Sequence, residues 1–350
     1  MKHYFLIIFV IFLLAYSTVS AQEYLDVTPD YKAKFPDDLY YKKDYRIQWW
    51  YFTGHLFDEK GREFGYELTF FAVGVQKRHY SSKFGVNTIY ISHFAISDVK
   101  EKKFYFKEKA DSGAYNFAGA KTTELKVWIK QNALEGTIEQ MHLKASEKHM
   151  AIDLELTPQK PLVLNGGNGY SRKSEESAMF ASIYFSYTSL KTSGTLKVGD
   201  EVFDVNGKSW FDREISAGAL GKKQSGWDWF AIQLDDAREI MLYIMRNKDG
   251  SIDRFSSGTF VDRNGSYKHL TLDDFSVKAL DRYTSKKTDA TYPSRWEIRI
   301  FSENLALTVN SLMDDQEVLA TFSTGNYYWE GTCTVKGSAK GRAYVELTGY

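Results

Sequence analysis

Apolar and polar side chains alternate along most of this 350-residue chain, and this period of two constrains the fold more than any other feature. Successive side chains of a β-strand point to opposite faces, so the alternation indicates strands with one buried face. Turn signals such as Asp58–Gly61, Asn165–Gly169 and Asn206–Gly207 separate these segments. Helical periodicity is weak, and Ser171–Met179 is long enough for only one or two turns. The predicted strands are Gln48–Leu56, Phe64–Val75, Thr88–Val99, Leu125–Gln131, Ala151–Leu156, Ala181–Thr188, Thr195–Val205, Trp227–Leu234, Glu239–Arg246, Gly258–Val261, Arg295–Phe301, Ala306–Asn310, Tyr327–Lys336 and Gly341–Thr348.

The strand count predicts an all-β chain with two β domains. Many strands at short, regular spacing are typical of a sandwich or a barrel. More than a dozen strands exceed what one small barrel usually needs. We therefore expect the boundary between the two domains near residues 190–220.

The first 21 residues have the pattern of a secretory signal. Lys2 and His3 precede the apolar run Phe5–Ala15, and small residues end the segment at Ala21. The run is too short for a stable membrane span. We expect a mature chain that begins near residue 22, is exported to the periplasm or the extracellular medium, and has no integral membrane span. An uncleaved N-terminal anchor is the alternative.

Charge and cysteine content exclude several classes of function. Basic and acidic residues both number 45, and the basic ones are scattered, so no surface suited to nucleic acid is indicated. Cys333 is the sole cysteine, which rules out an intrachain disulfide. No phosphate-binding loop and no Gly-x-Ser-x-Gly motif is present. We predict no cofactor.

Tryptophans and carboxylates are concentrated in two neighbouring segments. Trp210–Glu214 and Gly226–Phe230 together hold three of the eight tryptophans and three carboxylates. A second aromatic run contains Trp49 and Trp50. Aromatic side chains beside a few polar groups are typical of pockets for lipophilic ligands. We therefore predict a ligand-binding pocket lined by Trp49, Trp50, Trp210, Trp227, Trp229, Tyr243 and Arg246.

A carboxyl in such a pocket can act as an acid. Asp212 and Glu214 are two residues apart and share a strand face with Trp210. Burial raises the pKa of a carboxyl, and aromatic faces stabilise a cation formed when an alkene is protonated. We interpret Asp212 as the proton donor, with Glu214 setting its pKa or positioning water. The alternative is that Asp212, Arg213 and Glu214 form structural ion pairs, with Arg246 as a further partner.

Two histidines are further catalytic candidates. His55 shares a strand face with Trp49, and His93 lies in another predicted strand, so either could act as a base or hold a polar ligand group. A histidine in an aromatic strand is more often a hydrogen-bonded core residue. The two lack the His-x-x-x-His spacing of metal sites, and we predict no metal. Glu67 and Glu330 are expected to form ion pairs rather than to catalyse.

The ordered motifs of this chain resemble those of the CrtC/AttH family, which includes carotenoid 1,2-hydratases, AttH-like secreted proteins, a kievitone hydratase and pericyclic cyclases. The resemblance implies two lipocalin-like β domains, here residues 22–205 and 206–350, with a ligand cleft at their contact. Many AttH-like members carry His where this chain has Arg213, which removes a candidate proton shuttle. The matching segments are Gln48–Leu56, Ser92–Asp98, Asn168–Lys173, Gly207–Glu214, Gly226–Leu234, Tyr292–Trp296, Tyr328–Gly331 and Tyr344–Tyr350.

Three functions are compatible with this pattern. The first is an exported enzyme that hydrates or isomerises an isoprenoid, polyene or lipid-like compound. The second is a non-catalytic carrier of such compounds. The third is a surface or attachment protein of the AttH type, because fold alone does not fix function.

Overall fold

The computed structural model describes residues 24–75, 77, 85–176, 180–216 and 220–350. The predicted signal segment, residues 1–21, lies outside this range, as do the last three residues of the segment expected to be helical. Strand makes up 62% of the chain and helix 3%, so the all-β prediction is confirmed. Within the described residues no helix is long and apolar enough to cross a membrane.

The first sheet has thirteen strands and is nearly closed into a barrel. Its main path runs β4-β3-β2-β1-β13-β12-β9-β8-β7-β6-β5, and β10 and β11 pair with β12. The strands are β1 (Ile47–Asp58), β2 (Glu63–Gly74), β3 (Thr88–Asp98), β4 (Lys103–Asp111), β5 (Ala118–Ala120), β6 (Leu125–Ile129), β7 (Asn132–Gly136), β8 (Met141–Glu147), β9 (Met150–Pro158), β10 (Val163–Leu164), β11 (Tyr170–Arg172), β12 (Ala181–Val198) and β13 (Glu201–Ser216).

The second sheet has ten strands and forms a half-barrel. Its path runs β17-β16-β15-β14-β23-β22-β20-β19-β18, and β21 pairs with β22. Short 3₁₀ turns occur at Asp37–Leu39, Ala114–Asn116 and Phe301–Glu303. The strands are β14 (Gln224–Leu234), β15 (Glu239–Asn247), β16 (Ser257–Val261), β17 (Tyr267–Leu270), β18 (Phe275–Thr284), β19 (Thr291–Ile300), β20 (Leu305–Ser311), β21 (Glu317–Ala320), β22 (Asn326–Gly337) and β23 (Gly341–Thr348).

One predicted turn and one predicted strand are wrong. Asn206–Gly207 lies inside β13, and the chain reverses instead at Gly199, which has a positive φ of 62°. Gly207 is required for a different reason: a Cβ there would collide with the backbone carbonyl of His55 on β1. The predicted strand Thr195–Val205 therefore spans the end of β12, the turn and the start of β13.

The change from one sheet to the other comes after Ser216. The predicted domain division at residues 205 and 206 lies inside β13, which pairs continuously with β1 from Val205 to Ser216. β13 thus belongs as a whole to the first sheet. The division into domains stays a prediction; the first sheet's last strand ends at Ser216 and the second sheet's first strand begins at Gln224.

Side-chain alternation produces three cores. On β1, Trp50 and Phe52 point into the core of the first sheet, and on β14, Phe230 and Ile232 point into the core of the second. The opposite faces of the two strands meet in a third cluster, which contains residues of both sheets. We call this region the sheet contact; its buried members are Tyr51, Tyr184, Trp210, Trp229, Ala231, Met241, Tyr243 and Met245.

Candidate functional site

The sheet contact gathers most of the predicted site residues. Tyr51 on β1 lies opposite Asp212 on β13 in the strand register, and Trp229 on β14 lies opposite Tyr243 on β15. The strands of Asp212 and Trp229 are not neighbours within one sheet. They belong to different sheets and meet face to face, which brings the carboxyl and the aromatic wall together across the contact.

Asp212 is buried and accepts three hydrogen bonds. The Tyr184 hydroxyl donates to Oδ2 at 2.5 Å, the Ser186 hydroxyl to Oδ1 at 2.5 Å, and the Trp210 indole N–H to Oδ1 at 2.7 Å. We call these four residues the Asp212 cluster. The donors come from β12 and from β13 itself, so the regular sheet holds the carboxyl in place.

Burial sets the protonation behaviour of Asp212. Loss of solvent raises its pKa to about 7, although the hydrogen bonds from Ser186, Tyr184 and Trp210 lower it; the nearby Glu214 raises it further. A carboxyl with a pKa of about 7 is both an acid and a base near neutral pH, which suits general acid–base chemistry.

Glu214 lies beside this cluster and has a cationic partner. Lys173 Nζ is 3.3 Å from Glu214 Oε1, and the Ser182 hydroxyl donates to the same carboxylate oxygen. The Lys173 ammonium also lies 3.9 Å from the centre of the Tyr243 ring and 4.7 Å from that of Tyr184. The expected structural ion pair at Glu214 therefore exists, but its partner is Lys173 rather than Arg246.

Aromatic rings wall the Asp212 cluster on the side of the second sheet. The Trp229 indole N–H donates to the Tyr184 hydroxyl at 3.0 Å. The Trp229 ring meets Tyr51 edge to face at 5.1 Å and Trp210 at 6.3 Å between ring centres. Trp49 and Trp227, both partly buried, pack against this wall. Four of the predicted aromatic ligand contacts, Trp49, Trp210, Trp227 and Trp229, thus lie together.

A cavity of about 200 Å³ reaches the sheet contact from the protein surface. Ser171 and Tyr243, both buried, line it, and their hydroxyls are 3.0 Å apart. Tyr243 also belongs to the contact, so the cavity borders the contact. The lining residues are Gly166, Gly167, Tyr170, Ser171, Arg172, Tyr243, Arg254, Phe255, Ser256, Ser257, His269 and Thr271.

A second group of acidic side chains lies in the same contact. Glu67 on β2 and Glu330 on β22 are buried, and Glu346 on β23 is partly buried. We call them the glutamate trio. Among the described residues none of them has an ion pair, so the expectation of ion pairs at Glu67 and Glu330 is wrong.

The glutamate trio has few hydrogen-bond donors. Tyr51 donates its hydroxyl to Glu330, whereas neither oxygen of Glu67 has a partner within hydrogen-bonding geometry. Burial raises the pKa of Glu67 and of Glu330 well above the usual range. Burial also raises the pKa of Glu346 to about 8, although the Trp227 indole lowers it. Burial therefore favours the protonated form of all three carboxyls.

The two histidines join the sheets at a distance from Asp212. His55 Nδ1 lies 2.9 Å from the Thr332 hydroxyl, and its Nε2 lies 3.1 Å from the carbonyl oxygen of Ala343. His93 contacts Tyr328 and Ser323 at 2.7 and 2.8 Å, and burial lowers its pKa to about 4. His55 is four residues along β1 from Tyr51, roughly 13 Å. Both histidines have the partners expected of hydrogen-bonded core residues.

Arg246 and Trp50 lie apart from the contact. Arg246 pairs with Asp228 at 2.9 Å on the opposite face of the second sheet, where the Tyr350 hydroxyl also donates to Asp228. Trp50 is in the core of the first sheet and donates its indole N–H to the Leu39 carbonyl at 2.7 Å. The structure does not bring these two predicted ligand contacts to the Asp212 cluster. Asp228 has the arginine partner expected of a structural carboxylate.

Comparison with known proteins places the chain in a family. The sequence profile described as AttH-like matches residues 26–350. The chain belongs to the AttH-like family. An AttH protein from Nitrosomonas europaea has a similar structure, with a TM-score of 0.85 and 32% sequence identity, over 93% of this chain and 99% of that chain. No curated protein matches the sequence significantly.

Two more distant structures share the fold of this AttH-like chain. Kievitone hydratase from Nectria haematococca matches with a TM-score of 0.68 at 16% identity, over 93% of this chain and 95% of its own. CghA with Sch210972 matches with a TM-score of 0.57 at 11% identity, over 93% and 97%. Together with the two sheets, these matches confirm the predicted lipocalin-like architecture.

Arg213 lies away from the sheet contact. Alternation along β13 turns it away from Asp212 and into the core of the first sheet, where its guanidinium lies 3.9 Å from the Trp50 ring. It donates to the Tyr40 carbonyl and to Gln48, both at 2.8 Å. Burial lowers its pKa to about 9, which leaves it charged at neutral pH. In this AttH-like chain, residue 213 has no access to a ligand at the contact.

Sequence reasoning missed the polar partners of Asp212 and Glu214. Alternation in β12 places Ser182, Tyr184 and Ser186 on one face, between the buried apolar residues Ile183 and Phe185. A row of polar side chains on one face of an otherwise apolar strand was the available signal. No such signal pointed to Lys173, because it lies in an irregular segment after β11. Among the described residues no group of His, Cys, Asp and Glu is arranged to hold a metal ion.

Proposed function

We propose that this AttH-like chain is an exported protein that binds an unsaturated lipophilic molecule at the sheet contact and hydrates or isomerises it by acid–base catalysis. The observation that carries the proposal is Asp212, a buried carboxyl whose pKa is raised to about 7 beside an aromatic wall. The fold shared with kievitone hydratase, a protein named for a hydration reaction, supports the same class of chemistry.

In the proposed reaction protonated Asp212 gives its proton to an alkene carbon. The carbon–carbon π bond supplies the electron pair, and a cation forms on the adjacent carbon. Tyr51 and Trp229 present their rings on this side of the contact and would stabilise that cation. For hydration, water adds to the cation and loses a proton to the Asp212 carboxylate. For isomerisation, a neighbouring carbon loses the proton, and the acid is regenerated in either case.

The other members of the cluster would position the carboxyl rather than react. Tyr184 and Ser186 each donate to one oxygen of Asp212, which fixes its orientation. Lys173 compensates the charge of Glu214, which leaves Asp212 as the carboxyl of the two without an ion pair among the described residues. Glu214 is then suited to orient water through its remaining lone pairs.

The first experiment identifies the ligand. The mature protein is purified from its own host and examined by native mass spectrometry, and bound compounds are extracted with organic solvent. A lipophilic unsaturated compound at one per chain supports the proposal, and a mature N-terminus near residue 22 supports export. An empty chain that also fails to bind hydrophobic probes contradicts it and favours a surface or attachment role.

Asp212→Asn then separates an enzyme from a carrier. With the extracted compound as substrate, we expect turnover to fall by about 10²–10⁴-fold while the affinity stays unchanged. Wild-type turnover should decline as the pH rises through about 7, because Asp212 must be protonated. Asp236→Asn, which changes a carboxylate bound to Arg238, is the control. Tight binding without turnover by the wild type would identify a carrier.

A further inference from the structure

The cavity next to the sheet contact has a one-sided charge. Two of its lining residues, Arg172 and Arg254, carry a positive charge, and none of the lining residues is acidic. The Ser257 hydroxyl adds a hydrogen-bond donor to the wall, whereas those of Ser256 and Thr271 donate to the Asp253 carbonyl and the Asp274 carboxylate. Such a lining favours an anion over a neutral or cationic group.

Two arginines are held close together at this cavity. The guanidinium of Arg172 lies 4.7 Å from the centre of the Phe255 ring, and that of Arg254 lies 5.0 Å from it. Both charges are therefore fixed around one aromatic side chain.

In the described part of the chain, only one of the two guanidinium groups forms an ion pair with a carboxylate. Arg254 pairs with Glu175 at 2.5 Å. Arg172 instead donates to the backbone carbonyls of Ser174 and Glu175, at 3.0 and 3.3 Å. Within the described residues Arg172 thus has no ion pair, and the cavity lining keeps an excess of positive charge.

Aromatic side chains also line the cavity. Tyr170 and Tyr243 line it, and the Lys173 ammonium lies 3.9 Å from the centre of the Tyr243 ring. A volume of about 200 Å³ is below the usual range of about 300–1,000 Å³ for pockets that enclose a whole ligand. The cavity is therefore suited to one end of a larger molecule whose remainder lies at the sheet contact.

We propose that this cavity binds the anionic head group, a carboxylate or a phosphate monoester, of an amphipathic ligand whose apolar part lies against Tyr243 and the sheet contact. Guanidinium groups bind both head groups through paired N–H donors, which makes Arg172 the specificity-determining residue. The inference narrows the ligand class of the proposed function and rests on it for the location of the apolar part. It does not depend on catalysis.

The test compares four probes of equal chain length with the full-length mature protein below their micelle concentrations: dodecanoate, dodecyl phosphate, dodecanol and dodecyltrimethylammonium. Isothermal titration calorimetry should show at least one of the two anions binding about tenfold or more tighter than dodecanol, since a charge-assisted hydrogen bond is worth about that factor. The cationic probe should bind more weakly than dodecanol. The anion that binds more tightly identifies the head group.

Variants assign the effect to the cavity. Arg172→Gln should weaken binding of the preferred anion about tenfold and leave dodecanol unchanged. Arg299→Gln, which removes an exposed arginine paired with Glu297 on the second sheet, is the matched control and should change neither. Arg254→Gln is a second variant at the cavity and should also weaken anion binding.

Two outcomes would overturn the proposal. One is dodecanol binding as tightly as both anions. The other is an equal loss of anion affinity in Arg172→Gln and Arg299→Gln. Asp212→Asn should bind the anions like the wild type, so a failed head-group site remains distinguishable from a failed acid–base function, which Asp212→Asn tests through turnover.

Discussion

The Asp212 cluster and the glutamate trio lie in the same sheet contact but differ in their partners. Asp212 accepts hydrogen bonds from Tyr184, Ser186 and Trp210. Among the described residues Glu67 has no partner within hydrogen-bonding geometry, and neither do the nearby hydroxyls of Thr53 and Thr69. Both regions lose the solvation of their carboxyls, and hydrogen bonds compensate Asp212 more fully than Glu67.

This difference decides the protonation state of each region. Desolvation disfavours the charged form of any carboxyl, and hydrogen-bond donors favour it. The donors limit the pKa of Asp212 to about 7, whereas the pKa of Glu67 rises well above the usual range. A carboxyl near 7 can exchange a proton in each catalytic cycle. One that stays protonated serves instead as a neutral structural group. The predictions below test this division.

The largest expected effect is a dependence of stability on pH caused by the glutamate trio. The folded-state pKa of Glu67 is raised, so the unfolded chain releases this proton at lower pH than the folded chain. Above the unfolded carboxyl pKa, near 4.3, the folded state binds more protons and stability falls as the pH rises. One such group contributes a slope of at most about 1.4 kcal/mol per pH unit, between its unfolded and its folded pKa.

Denaturant unfolding of the wild type and of Glu67→Gln at several pH values measures this effect. We expect the free energy of unfolding to decline from pH 5 to pH 7 in the wild type and to decline less steeply in the variant. Glu59→Gln, at an exposed position in the turn after β1, should keep the wild-type slope. Equal slopes in the wild type and Glu67→Gln would contradict the assignment, because the opposing contribution of His93, whose pKa burial lowers, is the same in both proteins.

The second-largest expected effect is the loss of stability when Lys173 is removed, because this cation lies beside the Asp212 cluster and the glutamate trio has no ion pair among the described residues. Lys173→Met removes the partner of Glu214 and the ammonium beside Tyr243. Breaking a buried ion pair costs about 3–5 kcal/mol, and we expect about 2 kcal/mol because Lys173 is partly exposed. Thermal or chemical unfolding measures the loss.

The double variant Lys173→Met/Glu214→Gln tests the cause. It should recover part of the lost stability, since it leaves no uncompensated carboxylate. Lys222→Met, at an exposed lysine near β14, is the control and should stay close to the wild type. A double variant less stable than Lys173→Met alone would mean that the Lys173 side chain acts through packing.

The alternation of side chains made much of the contact predictable. A period of two fixes which residues of one strand share a face, so Trp210, Asp212 and Glu214 could be grouped, as could Trp227 and Trp229. The same rule separates Asp228 from the tryptophans and Arg213 from Asp212. The all-β class and the family followed from strand spacing and ordered motifs, and both are confirmed.

The local sequence pattern could not predict which faces of the two sheets pack against each other. Glu330 and Glu346 lie opposite each other on the paired strands β22 and β23, and the packing of the sheets brings Glu67 of β2 to them. Lys173 reaches Glu214 from outside any strand. Asn206–Gly207 was misread as a turn because Gly207 is needed for close backbone packing against β1, a reason that a single sequence does not distinguish from a turn.

The smallest expected effect comes from two tyrosines that form a matched pair. Tyr184 and Tyr344 are each 2% exposed, one in the Asp212 cluster and one beside the glutamate trio. The Tyr184 hydroxyl donates to Asp212 and accepts from Trp229, whereas the Tyr344 hydroxyl has no hydrogen-bond partner among the residues that the structure describes. Tyr184→Phe should lower the free energy of unfolding by about 1 kcal/mol, because it leaves Trp229 unpaired.

Tyr344→Phe should leave stability unchanged or raise it slightly, because it removes a buried hydroxyl that forms no hydrogen bond. Both changes delete one oxygen at the same depth, so the difference between the two variants measures the partners rather than the burial. Tyr184→Phe should also raise the pKa of Asp212 above about 7, since that hydroxyl favours the carboxylate. Equal losses in the two variants would mean that the two regions are alike, and that the raised pKa of Asp212 reflects desolvation alone.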